Sequence, residues 1–273
     1  MQEIFVINSY GTNLTQLTNN TAADRYPSIS NDGMKIAFES YLDSDWEVFI
    51  INSDGTGLTQ LTHNTLTDAY PSITDDGSKI AFYSDVGGDR QVYVINSDGS
   101  GLTQITSNAA TVGIARISGD GSKIAYISNV DGDREVFVVN SDGSGLTQLT
   151  HNTADDYVPS ISNDGSIIAF ESNVNGDWEI FLVNSDGSGL TQLTNNMVDD
   201  RAPSMSGDAS EIAFYSNADG DWEIFAINSD GTGLTQLTSN TADDYNPYIS
   251  NDGTKIAFES NVDGDWEIFM VDS

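Results

Sequence analysis

Carboxylates dominate the side chains able to do chemistry in this chain: 42 Asp and Glu stand against 9 Lys and Arg, two His and no Cys. Without Cys there is no disulfide, no thiolate metal site and no thiol nucleophile. His63 and His151 hold the same repeat position two repeats apart, too distant to share a metal, and read as polar loop residues. A Ser-His-Asp set needs a Ser on a strained turn beside a His, and the many Ser here occupy repeated strand and turn positions. Paired carboxylates are so frequent that no single pair singles itself out for glycoside chemistry. One pattern is sharper. Asn129-x-Asp131-Gly132-Asp133-x-Glu135, with relatives beginning at 173, 217 and 261, puts oxygen ligands at alternating positions, as calcium loops do. The candidate ligands are Asp131, Asp133, Asp219, Asp221, Asp263 and Asp265, and Ca2+ is the one cofactor in question. The pattern lacks the full loop length and the distal bidentate Glu of such sites. Hairpin turns use the same residues, so both readings stand.

The formal net charge of -33 excludes nucleic acid as a partner, because a surface this acidic repels phosphate. No run of about 18 apolar residues exists to span a bilayer. The start, Met1-Gln2-Glu3-Ile4-Phe5, has no basic stretch and does not read as a signal peptide.

The elements that carry these residues repeat. Ile4-Phe5 recurs as Val48-Phe49, Val92-Tyr93, Val136-Phe137, Ile180-Phe181, Ile224-Phe225 and Ile268-Phe269, always 44 residues on. All five Pro, at 27, 71, 159, 203 and 247, share one repeat position, and Ala115 fills the sixth. A period of 44 residues made of short strands is the length of one propeller blade. Within residues 27 to 62 the reading is four strands, a to d from axis to rim: 28–30, 35–40, 46–52 and 58–62, joined by Asp-Gly type turns that tolerate positive φ. Apolar runs such as Ile36-Ala37-Phe38 lack alternation, so both sheet faces must be buried, which stacking of blades achieves. The fold expected is all-β: a closed six-bladed β-propeller of four-stranded antiparallel blades.

The composite Asp24-x-x-Pro27-x-x-Ser30-x-Asp32-Gly33-x-x-Ile36-Ala37-Phe38, followed by Asp54-Gly55 and Leu61-Thr62, resembles the TolB-like β-propeller repeat, one of the WD40-like propeller repeats. The third repeat departs from it, with Val112, Ala115 and Gly119 at the Asp, Pro and Asn positions. The resemblance implies a propeller used as a binding platform, and a periplasmic or extracellular location. Fold analogy transfers no activity.

Residues 1–273 read as one propeller domain whose N-terminal strands complete the last blade, yet strand c occurs seven times against six for the others. The C-terminal copy, with Trp266, is favoured for the blade, leaving residues 1–10 displaced or paired elsewhere. A spare edge strand invites self-association, and a piece cut from a longer chain would explain it.

Function is expected where blades differ, in the d to a connections, since binding residues concentrate on such loops. The ligand-binding candidates at the channel mouth are Asp24, Arg25, Tyr26, Asp68, Tyr70, Arg116, Asp156, Tyr157, Asp200, Arg201, Asp244, Tyr245 and Tyr248. Against this, each Asp is also explained as a structural Asx cap and each Tyr as a ring packed over the next blade. Arg116 either neutralises a mouth carboxylate or meets a ligand. Trp46, Trp178, Trp222 and Trp266 share one position with Arg90 and Arg134 and are expected to pack between blades. The function expected is a non-enzymatic module binding a peptide or protein. A carbohydrate-binding or cell-surface domain is the alternative, and a propeller-fold lyase, which would need a cluster of His, a weaker one.

Overall fold

The computed structural model describes every residue except Met1, Asp43, Asn108, Ala109 and Asp131, and the described residues contain strands and turns but no helix. It is an all-β, six-bladed propeller with four-stranded antiparallel blades. The chain forms two compact units, residues 1–126 with 139–146, and residues 127–138 with 147–273.

In the first unit β1 (Phe5–Val6) pairs with β2 (Thr15–Gln16). One blade follows as β3 (Asp24–Ile29), β4 (Lys35–Leu42), β5 (Asp45–Asn52) and β6 (Thr59–Gln60). The next comprises β7 (Asp68–Ile73), β8 (Lys79–Val86), β9 (Asp89–Asn96) and β10 (Thr103–Gln104). The following sheet runs β11 (Val112–Ile117), β12 (Lys123–Ser128), β13 (Glu135–Asn140), β14 (Thr147–Gln148). The second unit continues with β15 (Asp156–Ile161), β16 (Ile167–Ser172), β17 (Glu179–Asn184) and β18 (Thr191–Gln192). After it come β19 (Asp200–Met205), β20 (Glu211–Ser216), β21 (Glu223–Asn228) and β22 (Thr235–Gln236). The last sheet has three strands, β23 (Asp244–Ile249), β24 (Lys255–Ser260) and β25 (Glu267–Asp272).

Neighbouring blades bury their facing sheets against each other. Val48 and Ile50 of one blade pack on Ile80, Phe82 and Ile95 of the next, and Ala169, Ile180 and Leu182 pack on Ile212, Phe214 and Ile227. Both faces of each central strand are therefore apolar, as the unalternated runs require. The a to b turns also link blade to blade. Asn31 N–H donates to Asp75 O and Asp75 N–H to Gly119 O, while Asn163 N–H donates to Gly207 O and Gly207 N–H to Asn251 O. Gly207 leaves room for the side chains of its equivalents in the neighbouring blades: a Cβ there would lie 1.9 Å from Asn251 Oδ1 and 2.4 Å from Asn163 Nδ2.

Two strand boundaries differ from the expectation. Strand a starts at the Asp, three residues before the Pro, because a register shift between Arg25 and Ser28, repeated in the other Pro-bearing blades, breaks the ladder where Pro has no N–H to give. The residue before the Pro is thrown into the left-handed region: Tyr26 at φ 51°, Tyr70 at 54°, Val158 at 46°, Ala202 at 51° and Asn246 at 52°. Strand d is only two residues long.

Of the two end copies of strand c, the C-terminal one joins its ladder as expected, β25 pairing with β24, while β1 pairs with β2 in a separate two-stranded sheet; burial runs the other way. Ile4 is 2% exposed and packs on Ile36, Phe38 and Ile51, the same contacts that Val48 makes with Ile80, Phe82 and Ile95 one repeat later. Ile4 N–H also donates to Thr18 Oγ1 at 2.9 Å, as Val48 N–H does to Thr62. Ile4, with Val6 beside it, is thus a regular part of the packing. The C-terminal copy is the exposed one: in β25, Ile268 is 66% exposed, where the equivalent Ile224 is fully buried.

Candidate functional site

The five Asp that open strand a do not line an opening. Asp24, Asp68, Asp156, Asp200 and Asp244 are each at most 1% exposed. An Asn four residues earlier donates its amide to each, at 2.9, 2.6, 3.2, 2.6 and 2.9 Å in turn. They are structural, and the first Glu of strand c in the preceding blade lies against four of them. Glu47 faces Asp68, Glu135 faces Asp156, Glu179 faces Asp200 and Glu223 faces Asp244. These Glu are buried, not solvated; only Glu267, on β25, is exposed. Burial, reinforced by the neighbouring Asp, pushes the carboxyls of Glu47, Glu135 and Glu223 up to about 7. In the third repeat both carboxylates are absent, Gln91 and Val112 taking their places. Most of the remaining Asp excess is turn chemistry. Asp54 Oδ1, for example, accepts from the Thr56 hydroxyl at 2.6 Å and its N–H at 2.9 Å, which holds the carboxyl below its usual range.

At the same end of the blades, where strand a begins and strand b meets strand c, arginines and aromatic rings stack. In the first unit Tyr26 lies on Tyr70 with centroids 4.2 Å apart, and Tyr70 on Tyr83 at 5.6 Å. The Arg25 guanidinium sits 3.6 Å over Trp46 and 5.0 Å from the centre of Tyr26, and Arg90 sits 4.6 Å over Tyr83. Arg25 Nε donates to the buried Glu39 at 2.6 Å, and the other oxygen of Glu39 accepts the N–H of left-handed Tyr70 at 2.7 Å. Glu39 therefore fixes both the cation and the strained turn that presents Tyr70.

The second unit repeats the device with other residues. Arg134 lies 4.7 Å over Tyr157, Tyr157 packs edge-on to Trp178 at 5.4 Å, and Arg201 lies 4.3 Å over the other reach of Trp178. Glu171 accepts from Arg201 at 2.9 Å and from the N–H of left-handed Ala202 at 2.6 Å. Tyr245 packs against Tyr215, Trp222 and Trp266 at 5.1, 5.8 and 5.6 Å. The tryptophans are thus not buried between blades. They are half-buried or exposed hubs of this surface, with Trp266 53% exposed. Their single shared position, alternating with Arg90 and Arg134, was the signal for it.

Arg116 and Tyr248 fall elsewhere, inside strand a, where Ser28, Ser72, Ser160 and Ser204 accept an N–H from the next blade. Arg116 forms no ion pair among the described residues, so it does not neutralise a mouth carboxylate there, and Tyr248 is 65% exposed. His63 and His151 are exposed turn residues in different units. Of the six metal candidates, Asp131 lies outside the described residues, Asp133 is half-buried beside the buried Glu135, and Asp263 and Asp265 sit beside the exposed Glu267. Asp219 and Asp221 approach the buried Glu223.

Residues 41–196 match the TolB beta propeller domain, and the chain belongs to that family. Among solved structures it is similar to a putative TolB from Agrobacterium tumefaciens, with a TM-score of 0.69 and 21% identity over 96% of this chain and 94% of that one. TolB from Acinetobacter baumannii gives a TM-score of 0.68 and 17% identity over 89% of this chain and 61% of that one. An oligogalacturonate lyase from Vibrio parahaemolyticus gives 0.64 and 14% over 100% and 97%. At these identities the likeness is one of fold. No curated protein matches the sequence.

Proposed function

We propose that the chain is a binding module without catalytic chemistry of its own, and that its partner is a peptide or protein segment held on the arginine–aromatic surface. The observation that carries this reading is the Tyr26–Tyr70–Tyr83 stack. Its outer ring is 44% exposed, and Arg25 and Arg90 flank it, each already paired with a carboxylate, Glu39 and Asp85. Rings and guanidinium groups held this way lose little freedom on binding, and Tyr, Trp and Arg are the residues that anchor interfaces. The net charge of -33 adds steering toward a partner of positive charge, in place of the mouth carboxylates, which are buried.

A peptide array followed by titration of the best sequence tests the reading. Tyr26→Ala and Tyr70→Ala should each weaken binding by about 1 to 3 kcal/mol, and Arg116→Ala should leave it unchanged. Wild-type binding by both Tyr variants overturns it. Exposed flat rings, Trp266 at 53% and Tyr41 at 45%, also favour a carbohydrate as a second reading, and a glycan array on the same chain separates the two. A lyase would need a His cluster, and the two His here stand apart.

A further inference from the structure

Among the described residues one group of carboxylates, Asp219, Asp221 and Glu223, brings an oxygen from each residue to within 4.8 Å of the others. The group sits where strand b turns into strand c, in the sequence Asn217-Ala218-Asp219-Gly220-Asp221-Trp222-Glu223. Acidic turns are common in this chain, so what Glu223 does is decisive. It is fully buried, and neither of its carboxylate oxygens has a well-aligned hydrogen bond, although the Thr238 hydroxyl and the Asp244 carboxyl lie beside it. At the same repeat position two other blades supply a donor to one carboxylate oxygen: Thr62 gives its hydroxyl to Glu47, and the Asn196 N–H donates to Glu179 at 2.7 Å. An unsatisfied buried carboxylate is costly, and a cation is the partner that would offset the cost. Asp244, also buried, adds a fourth carboxyl against Glu223.

We propose that Asp219, Asp221 and Glu223 form a calcium site. The donors are all carboxylate oxygens, the hard ligands that calcium takes at about 2.3 to 2.6 Å, and trans ligands at that distance stand about 4.8 Å apart. Thiol and imidazole ligands, which would favour zinc or copper, are missing from the group. The turn is held from outside. Trp222 N–H donates to Asp243 Oδ1 at 3.3 Å, Trp222 O accepts from Asp244 N–H at 2.7 Å, and Gly220 adopts φ 111°. Gln236 donates to Asp219 Oδ2 at 2.8 Å, which orients that carboxylate and leaves its other oxygen for the metal. Water completes the six to eight ligands. The turn before it in the chain is a built-in contrast: it carries Asn175 and Asp177, and one oxygen of its Glu179 already accepts the Asn196 N–H.

Trp222 lies between two of the ligands and provides the readout. The full chain, stripped of metal with chelator, is titrated with Tb3+ while indole is excited, then competed with CaCl2 and with MgCl2, and calcium binding is measured by calorimetry. One saturable site is expected, displaced by calcium at lower concentration than by magnesium. Asp221→Asn and Glu223→Gln should each weaken it tenfold or more, and Asp177→Asn and Asp265→Asn should change it less than twofold. The melting temperature should rise in millimolar CaCl2 beyond an NaCl control of equal ionic strength, and the rise should vanish in Asp219→Asn, an exposed change that leaves folding intact. No saturable binding below millimolar calcium, or binding retained in both Asp221→Asn and Glu223→Gln, overturns the site.

Discussion

Replacing Glu47 by Gln should make the protein more stable at pH 8 and flatten its response to pH. Glu47 is 3% exposed, and burial, with Asp68 and Asp45 adding repulsion, pushes its carboxyl up to about 7 against the hydrogen bond from Thr62. A raised carboxyl means that the folded chain holds the proton more tightly than the unfolded chain. The contribution is therefore full below the ordinary value of 4.5, falls as pH rises from there through about 7, and stays lost above. At about 1.4 kcal/mol per unit, the group costs about 3 kcal/mol at pH 8. Gln carries no charge to desolvate and can keep the Thr62 bond. Gln91 does this at the equivalent position, accepting from Thr106 Oγ1 at 2.8 Å and donating to Ala110 O at 3.3 Å. For a chain of this size the gain corresponds to a rise in melting temperature of about 4 to 8 °C at pH 8, shrinking toward zero near pH 4. Thermal melts of both proteins from pH 4 to 9, in chelator, measure it. Parallel curves, or a less stable variant at pH 8, refute the reasoning.

Three further outcomes follow from packing and backbone. Ile4→Ala should destabilise by about 2 to 5 kcal/mol, because it opens a cavity against Ile36 and Phe38, whereas Ile268→Ser, on an exposed strand, should stay within about 0.5 kcal/mol; urea unfolding compares them, and the reverse order would return β25 to the packed role. Gly207→Ala should cost about 1 to 3 kcal/mol, since its Cβ would overlap the Asn251 and Asn163 amides, and an unchanged urea midpoint would show that those side chains swing away freely. Val158→Gly should raise stability by about 1 kcal/mol, because a β-branched residue is held at φ 46°; a loss of stability would mean that the Val side chain contributes more than its backbone strain costs.

The period of 44 residues, the Asp-Gly turns and the unalternated apolar runs made the blades legible without coordinates, because each is a local demand repeated in register. The site was less so, since a repeated residue looks structural or functional according to which way it points. Asp68 and its equivalents precede variable positions, so the sequence leaves a ligand contact and a structural cap both open. Their true setting was written in a correlation between two distant positions: wherever strand c opens with Glu, the next strand a opens with Asp, and where Gln91 replaces the first, Val112 replaces the second. Two buried carboxyls tolerate each other only by holding a proton, so losing one partner frees the other position to become apolar. The same logic separates the arginines. Arg25 and Arg201 occur where Glu39 and Glu171 stand within reach on strand b, and those Glu also receive the N–H of a left-handed residue in the next blade. Arg116 has no such carboxylate partner among the described residues. Departures from a repeat mark function only after the departures that compensate one another have been paired off. Here that leaves the exposed rings of Tyr26 and Trp266, and the unsatisfied Glu223.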